Sequence, residues 1–125
     1  MNEQAEALKQ RTKRFALDVI ALVRAFPTTE PARTVGSQLT RSATAVGANY
    51  RCRARSHADF VTKMALVEEE SDESCYWLEI ATASNLASAS AVEPLLKEAG
   101  ELTAIFARST MTARQSVNRQ SANRQ

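Results

Sequence analysis

Apolar residues recur along the chain at alternating steps of four and three, the repeat that lines one face of an α-helix. Over residues 3–26 the stripe is Leu8, Thr12, Phe15, Val19, Leu22 and Phe26. Ala16, Ile20 and Val23 widen it, which predicts a helix buried over more than a narrow seam. Pro27 ends the segment, because the residue before a proline is pushed out of the helical region. A second helix is predicted over about 31–53, capped by Thr28 or Thr29 with Pro31 in its first turn. Its inward positions, Val35, Leu39, Ser42 or Ala43, Val46 and Tyr50, are interleaved with small residues. Gly36 and Gly47 each weaken a helix interior by about 1 kcal/mol against alanine, so both imply close approach to a neighbouring helix.

Ser56-His-Ala-Asp59 has the pattern of a helix-start box and runs directly into Phe60 and Val61. No glycine or proline follows until well past Leu86, so a third helix is predicted over 57–86, roughly 45 Å long at 1.5 Å per residue. Phe60, Met64, Val67, Ser71, Ser74, Leu78 and Ala81 form its stripe. Ser90-Ala-Val-Glu93 offers another start box with Pro94 in the first turn, and Val92, Leu95, Leu96, Ala99, Leu102, Ile105 and Phe106 continue as a fourth helix over 92–111. The run RQSVN-RQSAN-RQ then repeats with almost no apolar content, and residues 113–125 are expected to be a disordered basic tail. Four long amphipathic segments joined by short loops imply an all-α, up-down-up-down antiparallel four-helix bundle in one domain, residues 1–112.

Charge sharpens this outline. The 125 residues carry a formal net charge of +2. Residues 1–112 hold 13 basic and 14 acidic side chains, so the excess comes from Arg114, Arg119 and Arg124 in the tail. The polar start MNEQAEALKQR has no apolar signal core, and no apolar run approaches the roughly 20 residues of a membrane span. A cytoplasmic chain without membrane partners is therefore expected, with Cys52 and Cys75 reduced.

Two opposite charge clusters are the candidate functional sites. Arg51, Arg53 and Arg55 end the second helix, with Arg41 further back, and guanidinium groups bind phosphate oxygens through paired donors. Lys9, Arg11, Lys13 and Arg14 form a second basic cluster on the first helix. Three readings of the arginines stay open: phosphate contact, a solvated helix end that compensates its dipole, and pairing with the acids of helix 3 within or between subunits. Glu68, Glu69, Glu70, Asp72 and Glu73 resemble a carboxylate metal site only superficially. A di-iron bundle needs Glu-x-x-His pairs on two helices, and His57 is the only histidine. Tyr50, Tyr76 and Trp77 could stack on bases, but such aromatics more often fill a core or subunit interface. Tyr50, Glu69, Asp72, Glu73, Tyr76 and Trp77 are accordingly the candidate oligomer contacts. No nucleophile has a nearby base in sequence pattern, and no phosphate loop or ligand set is present, so neither an enzyme nor a cofactor or metal is expected.

Four stretches together, RSATAVGANYR, RARS-x-x-DF-x-x-K, EEESDES-x-YWLE and EPLLKEAGELTAIF, resemble the bacterial four helix bundle protein family. That family includes proteins encoded by intervening sequences in 23S rRNA genes. The resemblance spans about residues 8–112 and implies a left-handed four-helix bundle assembled as a ring-like homopentamer. A structurally similar accessory protein of diversity-generating retroelements implies a further expectation, a basic surface that engages RNA, DNA or a nucleic-acid-handling protein. Most members have no assigned activity. Gly47 stands where many relatives carry proline, and two residues fewer separate Tyr50 from the RARS box than in the subgroup sharing that glycine. The shorter spacing implies a rotated or shortened basic segment.

Overall fold

The computed structural model describes residues 3–124. They form α1 (Glu3–Arg24), α2 (Glu30–Tyr50), α3 (His57–Ala83) and α4 (Ala89–Asn123). α1 packs on α2, α2 on α3, α3 on α4, and α4 returns to α1, with no diagonal pair in contact among the described residues. Short connections and this ring of contacts define the four-helix bundle, each helix antiparallel to its sequence neighbour.

The helix ends are set by local hydrogen bonding. At the end of α1, Ala25 and Phe26 donate to Leu22 and Val23, i→i−3 bonds that tighten the last turn two residues before the expected stop. Thr29 caps α2 by accepting from the Ala32 N–H at 3.3 Å. α2 was expected to run to 53 but ends at Tyr50. The start of α3 has a competing claim on the chain there. Ser56 takes an extended backbone to cap Asp59 N–H at 3.1 Å, and Asp59 Oδ2 accepts from Arg55 N–H at 2.8 Å. Arg53 and Arg55 therefore sit in the connection rather than on a helix, and Arg51 is the cap of α2.

α3 stops at Ala83 rather than 86 because Asn85 adopts the left-handed conformation (φ 61°). Leu86 and Asn85 then donate back to Ala81 and Thr82, satisfying the last carbonyls. α4 is capped by Ser88, not Ser90, through the Ala91 N–H at 3.2 Å. Pro94 consequently lies inside α4, past the first turn, where its missing N–H leaves the carbonyl of exposed Ser90 to solvent. The helix expected to end at 111 runs further: α4 continues to Asn123. Beyond Gly100 there is neither glycine nor proline, and a helix already nucleated gains one hydrogen bond per added residue. Its anchoring extends past the expected end too, since Thr110 and Ala113 are buried and His57 Nε2 donates to the Ala113 carbonyl at 3.1 Å. Gln125, the last residue of the expected tail, lies outside the described residues.

The core follows the four stripes: Phe15 and Val19, Leu39 and Val46, Val67 and Leu78, Leu102 and Phe106 are all essentially inaccessible. Phe60 is the exception at 39 % exposure, because it borders an open groove between the start of α3 and α4. Thr12, Ser42, Ser71, Ser74 and Thr110 are buried polar residues, and each bonds a carbonyl of its own helix. Ser42 and Ser74 also meet across α2 and α3 at 3.0 Å. No buried side-chain polar atom among the described residues lacks a partner.

The two α2 glycines mark the tight contact with α1. A methyl group at Gly36 would stand 2.9 Å from Val23 Cγ1, and one at Gly47 would stand 3.1 Å from Thr12 Oγ1 and 3.5 Å from the Thr12 backbone carbon. Nothing lies within 4 Å of the corresponding position at Gly100. Gly100→Ala is therefore expected to stabilise the protein by about 0.5–1 kcal/mol through helix propensity. Gly47→Leu gains the same propensity but forces α1 and α2 apart, and should destabilise by about 1–3 kcal/mol. Paired thermal denaturation of the two variants checks both signs.

Candidate nucleic-acid and subunit interfaces

The structure divides the candidate arginines into two groups. Arg11 and Arg41 clasp neighbouring helices. Arg11 forks onto Glu98 of α4, with Nε to Oε2 at 2.8 Å and Nη2 to Oε1 at 2.6 Å, and reaches Glu101 at 3.2 Å. Arg41 joins α2 to α3 by donating to Glu70 Oε2 at 3.1 Å and to Glu73. The Glu98 hydrogen bond raises the Arg11 pKa and the Glu73 hydrogen bond raises that of Arg41, so both remain charged. These guanidinium groups are committed to their own subunit. Arg14 pairs with Asp18 at 3.2 Å, and Lys9 lies 3.9 Å from Glu6.

Arg51, Arg53, Arg55 and Lys13 form no ion pair among the described residues, and all four are exposed. The cap of α2 and the connection to α3 lie at the same end of the bundle as the start of α1 and the end of α4. Lys9, Lys13 and Arg51, which sequence reading placed in separate clusters, line one groove between α1 and α2. Arg108, Arg114, Arg119 and Arg124 follow along the last part of α4, which carries no acid after Glu101. Sequence spacing hides this convergence, because it depends on which helix ends share a pole of the bundle.

The six candidate oligomer contacts also separate. Glu69, Asp72 and Tyr76 are exposed together on the outward face of α3, beside Leu66. Leu66 is an exposed apolar neighbour of this face that the sequence stripe missed; its offset of three from Glu69 and ten from Tyr76 was the available signal. Glu73 turns toward α2, where it receives Arg41 and the indole N–H of Trp77 at 3.0 Å. Tyr76 sets its ring edge against Trp77, centroids 5.0 Å apart. Tyr50 is half-buried with its ring 5.3 Å from Phe106, and burial pushes its phenol pKa up.

His57 is bound to a backbone carbonyl, and the buried hydroxyls donate to their own helices. Both cysteines are free thiols, and no three His, Cys, Asp or Glu side chains among the described residues converge on a metal position. No helix of the described residues is long and apolar enough to cross a membrane.

A family model described as 23S rRNA-intervening sequence protein matches residues 5–108. The chain belongs to this family. The 23S rRNA-intervening sequence protein match includes every helix-spanning ion pair and Lys9, Lys13 and Arg51, and ends inside α4, so Arg114, Arg119 and Arg124 lie beyond it. The fold is also similar to the crystal structure of a protein of unknown function from the S23 ribosomal protein family of Bacteroides thetaiotaomicron. The two share 24 % identity over 86 % of this chain and 97 % of that chain, with a TM-score of 0.78. Comparison with curated proteins gives no match.

Glu73 offers a test of the α2–α3 clasp. Burial pushes its carboxyl up, but the Trp77 and Arg41 hydrogen bonds and the Arg41 charge outweigh that, leaving its pKa below the ordinary 4.5. A depressed carboxyl contributes stability above its unfolded pKa and loses it as pH falls through the folded one. At pH 7 the parent should exceed Glu73→Gln by less than about 1 kcal/mol, given the solvent exposure of the pair. The gap should close as the pH is lowered below 4.5; denaturant unfolding of both proteins at neutral and acid pH measures it.

Proposed function

We propose that this protein is a non-enzymatic, homo-oligomeric helical bundle that binds nucleic acid, or a nucleoprotein, through its basic end. The observation that carries the reading is the gathering at one pole of Lys13, Arg51, Arg53 and Arg55, which have no ion-pair partner among the described residues, with the acid-free end of α4 beside them. Cations without local counter-charges concentrate a positive potential, and a polyanion releases its own counterions on meeting them. Arg11 and Arg41 are outside this surface, since their pairs hold the bundle together.

Self-association draws support from the outward face of α3. Leu66 and Tyr76 leave apolar surface exposed there at 36 % and 53 %, next to Glu69 and Asp72, which have no ion-pair partner among the described residues. Five copies is the number implied by the sequence resemblance. The same face favours a second reading, a structural or protein-interaction scaffold whose charges serve assembly alone.

The two readings differ in salt dependence. On the first, RNA or DNA binding weakens steeply with salt, and Arg53→Glu/Arg55→Glu lowers low-salt affinity at least tenfold. Loss of two phosphate contacts should flatten the log–log salt slope by about 1.4 for a single strand. A chain ending at Ala113 should keep its melting temperature and most of this binding, because every side chain of α4 described as buried is retained. Binding that vanishes with residues 114–125 alone, or no binding by the intact protein, favours the scaffold. Light scattering that gives a monomer at working concentration overturns the oligomer.

A further inference from the structure

The groove on the α1–α2 seam has an unusual lining. Lys9 and Lys13 stand one helical turn apart on α1, and Arg51 faces them from the cap of α2. Between them the floor is Thr12, Gly47 and Ala48, and the volume is about 170 Å³. Gly47 and Ala48 are small and keep that floor low; at Gly47 even a methyl group would stand 3.1 Å from Thr12 Oγ1.

No acid lines the groove. Glu6 lies 3.9 Å from Lys9 in a pair that is about half exposed on both sides, too weak to neutralise three cations. The Thr12 hydroxyl donates to the Leu8 carbonyl at 2.8 Å and contributes no counter-charge. Three like charges thus converge on a small cleft and repel one another. α2 also ends here, and its terminal carbonyls oppose an anion, so a bound anion would be held by the side-chain cations alone. The volume is below the roughly 300 Å³ at which sites for whole small molecules begin. It suits one tetrahedral oxyanion whose remaining substituents lie outside.

We propose that the notch formed by Lys9, Lys13 and Arg51 is a seat for a single phosphate group. A backbone phosphate of a nucleic-acid strand and free inorganic phosphate share this chemistry. The strand fits the setting better, because Arg53 and Arg55 continue from Arg51 along the same exposed connection. The inference rests on the nucleic-acid reading only for the source of the phosphate.

The test compares the parent with Lys13→Gln/Arg51→Gln, using Arg24→Gln at the opposite end as the control. Inorganic phosphate at fixed ionic strength should raise the melting temperature of the parent and the control more than that of the double variant. Phosphate also stabilises folds generally by exclusion from their surfaces, so the difference between variants is the readout. Without phosphate, the double variant should be at least as stable as the parent, because repulsion has been removed. A short single-stranded RNA should bind the double variant at least tenfold more weakly than the control. Equal phosphate shifts together with equal RNA affinities in all three proteins would falsify the notch, even where RNA binds elsewhere on the basic end. A parent that binds no RNA but keeps its variant-sensitive phosphate shift leaves the notch standing as a free-phosphate site and removes the nucleic-acid reading alone.

Discussion

At Gly47 the backbone of α2 runs so close to α1 that even a methyl group would press on Thr12, and Gly36 repeats the contact against Val23 nearer the other end. Two glycines in one helix weaken it by about 1 kcal/mol each. The close seam they permit determines much of what surrounds it. Thr12 becomes fully buried and turns its hydroxyl to its own helix, while Ser42 on another side of α2 meets Ser74 of α3. With α2 drawn in on both sides, Lys9 and Lys13 of α1 come to face Arg51 of α2.

Electrostatics then separate structural from available cations by reach. Arg11 and Arg41 each span a seam and find two carboxylates on the facing helix. Arg51, Arg53 and Arg55 find none, because the chain carries no acid between Glu30 and Asp59. The Asp59 carboxylate is itself occupied by the Arg55 N–H at 2.8 Å and by Lys63 at 3.8 Å. The second acid-free stretch begins after Glu101. α2 and α4 run in the same direction in an up-down bundle, so both stretches arrive at one end. A nearly neutral composition thereby becomes a molecule with a basic pole.

The four stripes were legible because a helix buries a fixed period, and nearly every position they named is buried or packed against the core. Boundaries were less legible where two local solutions competed. Ser88 and Ser90 both resemble caps, and only the geometry of the α3–α4 connection selects the first. Asn85 was the one residue there able to adopt the left-handed turn at little cost, a signal present in the sequence but outweighed by the uninterrupted helical pattern. The end of α4 misled for a different reason. Low apolar content argues against burial, but Ala113 and its bond from His57 anchor the helix beyond its last large apolar core residue.

The candidate site was legible as residue types and illegible as an arrangement. Composition and spacing alone determined an all-helical bundle, the stripe each helix buries, the need for a close contact at Gly36 and Gly47, and the absence of acids around Arg51–Arg55. Those are local properties, set by periodicity and by the charge of neighbouring residues; the acid-free stretch is the one between Glu30 and Asp59, whose carboxylate is bonded to the Arg55 N–H. Only the tertiary structure decided which cations are engaged, since Arg11 and Glu98 are 87 residues apart and Arg41 and Glu70 are 29 apart. It also decided that Lys9, Lys13 and Arg51 share one groove, because that depends on the distance between two helix axes, and two glycines set it.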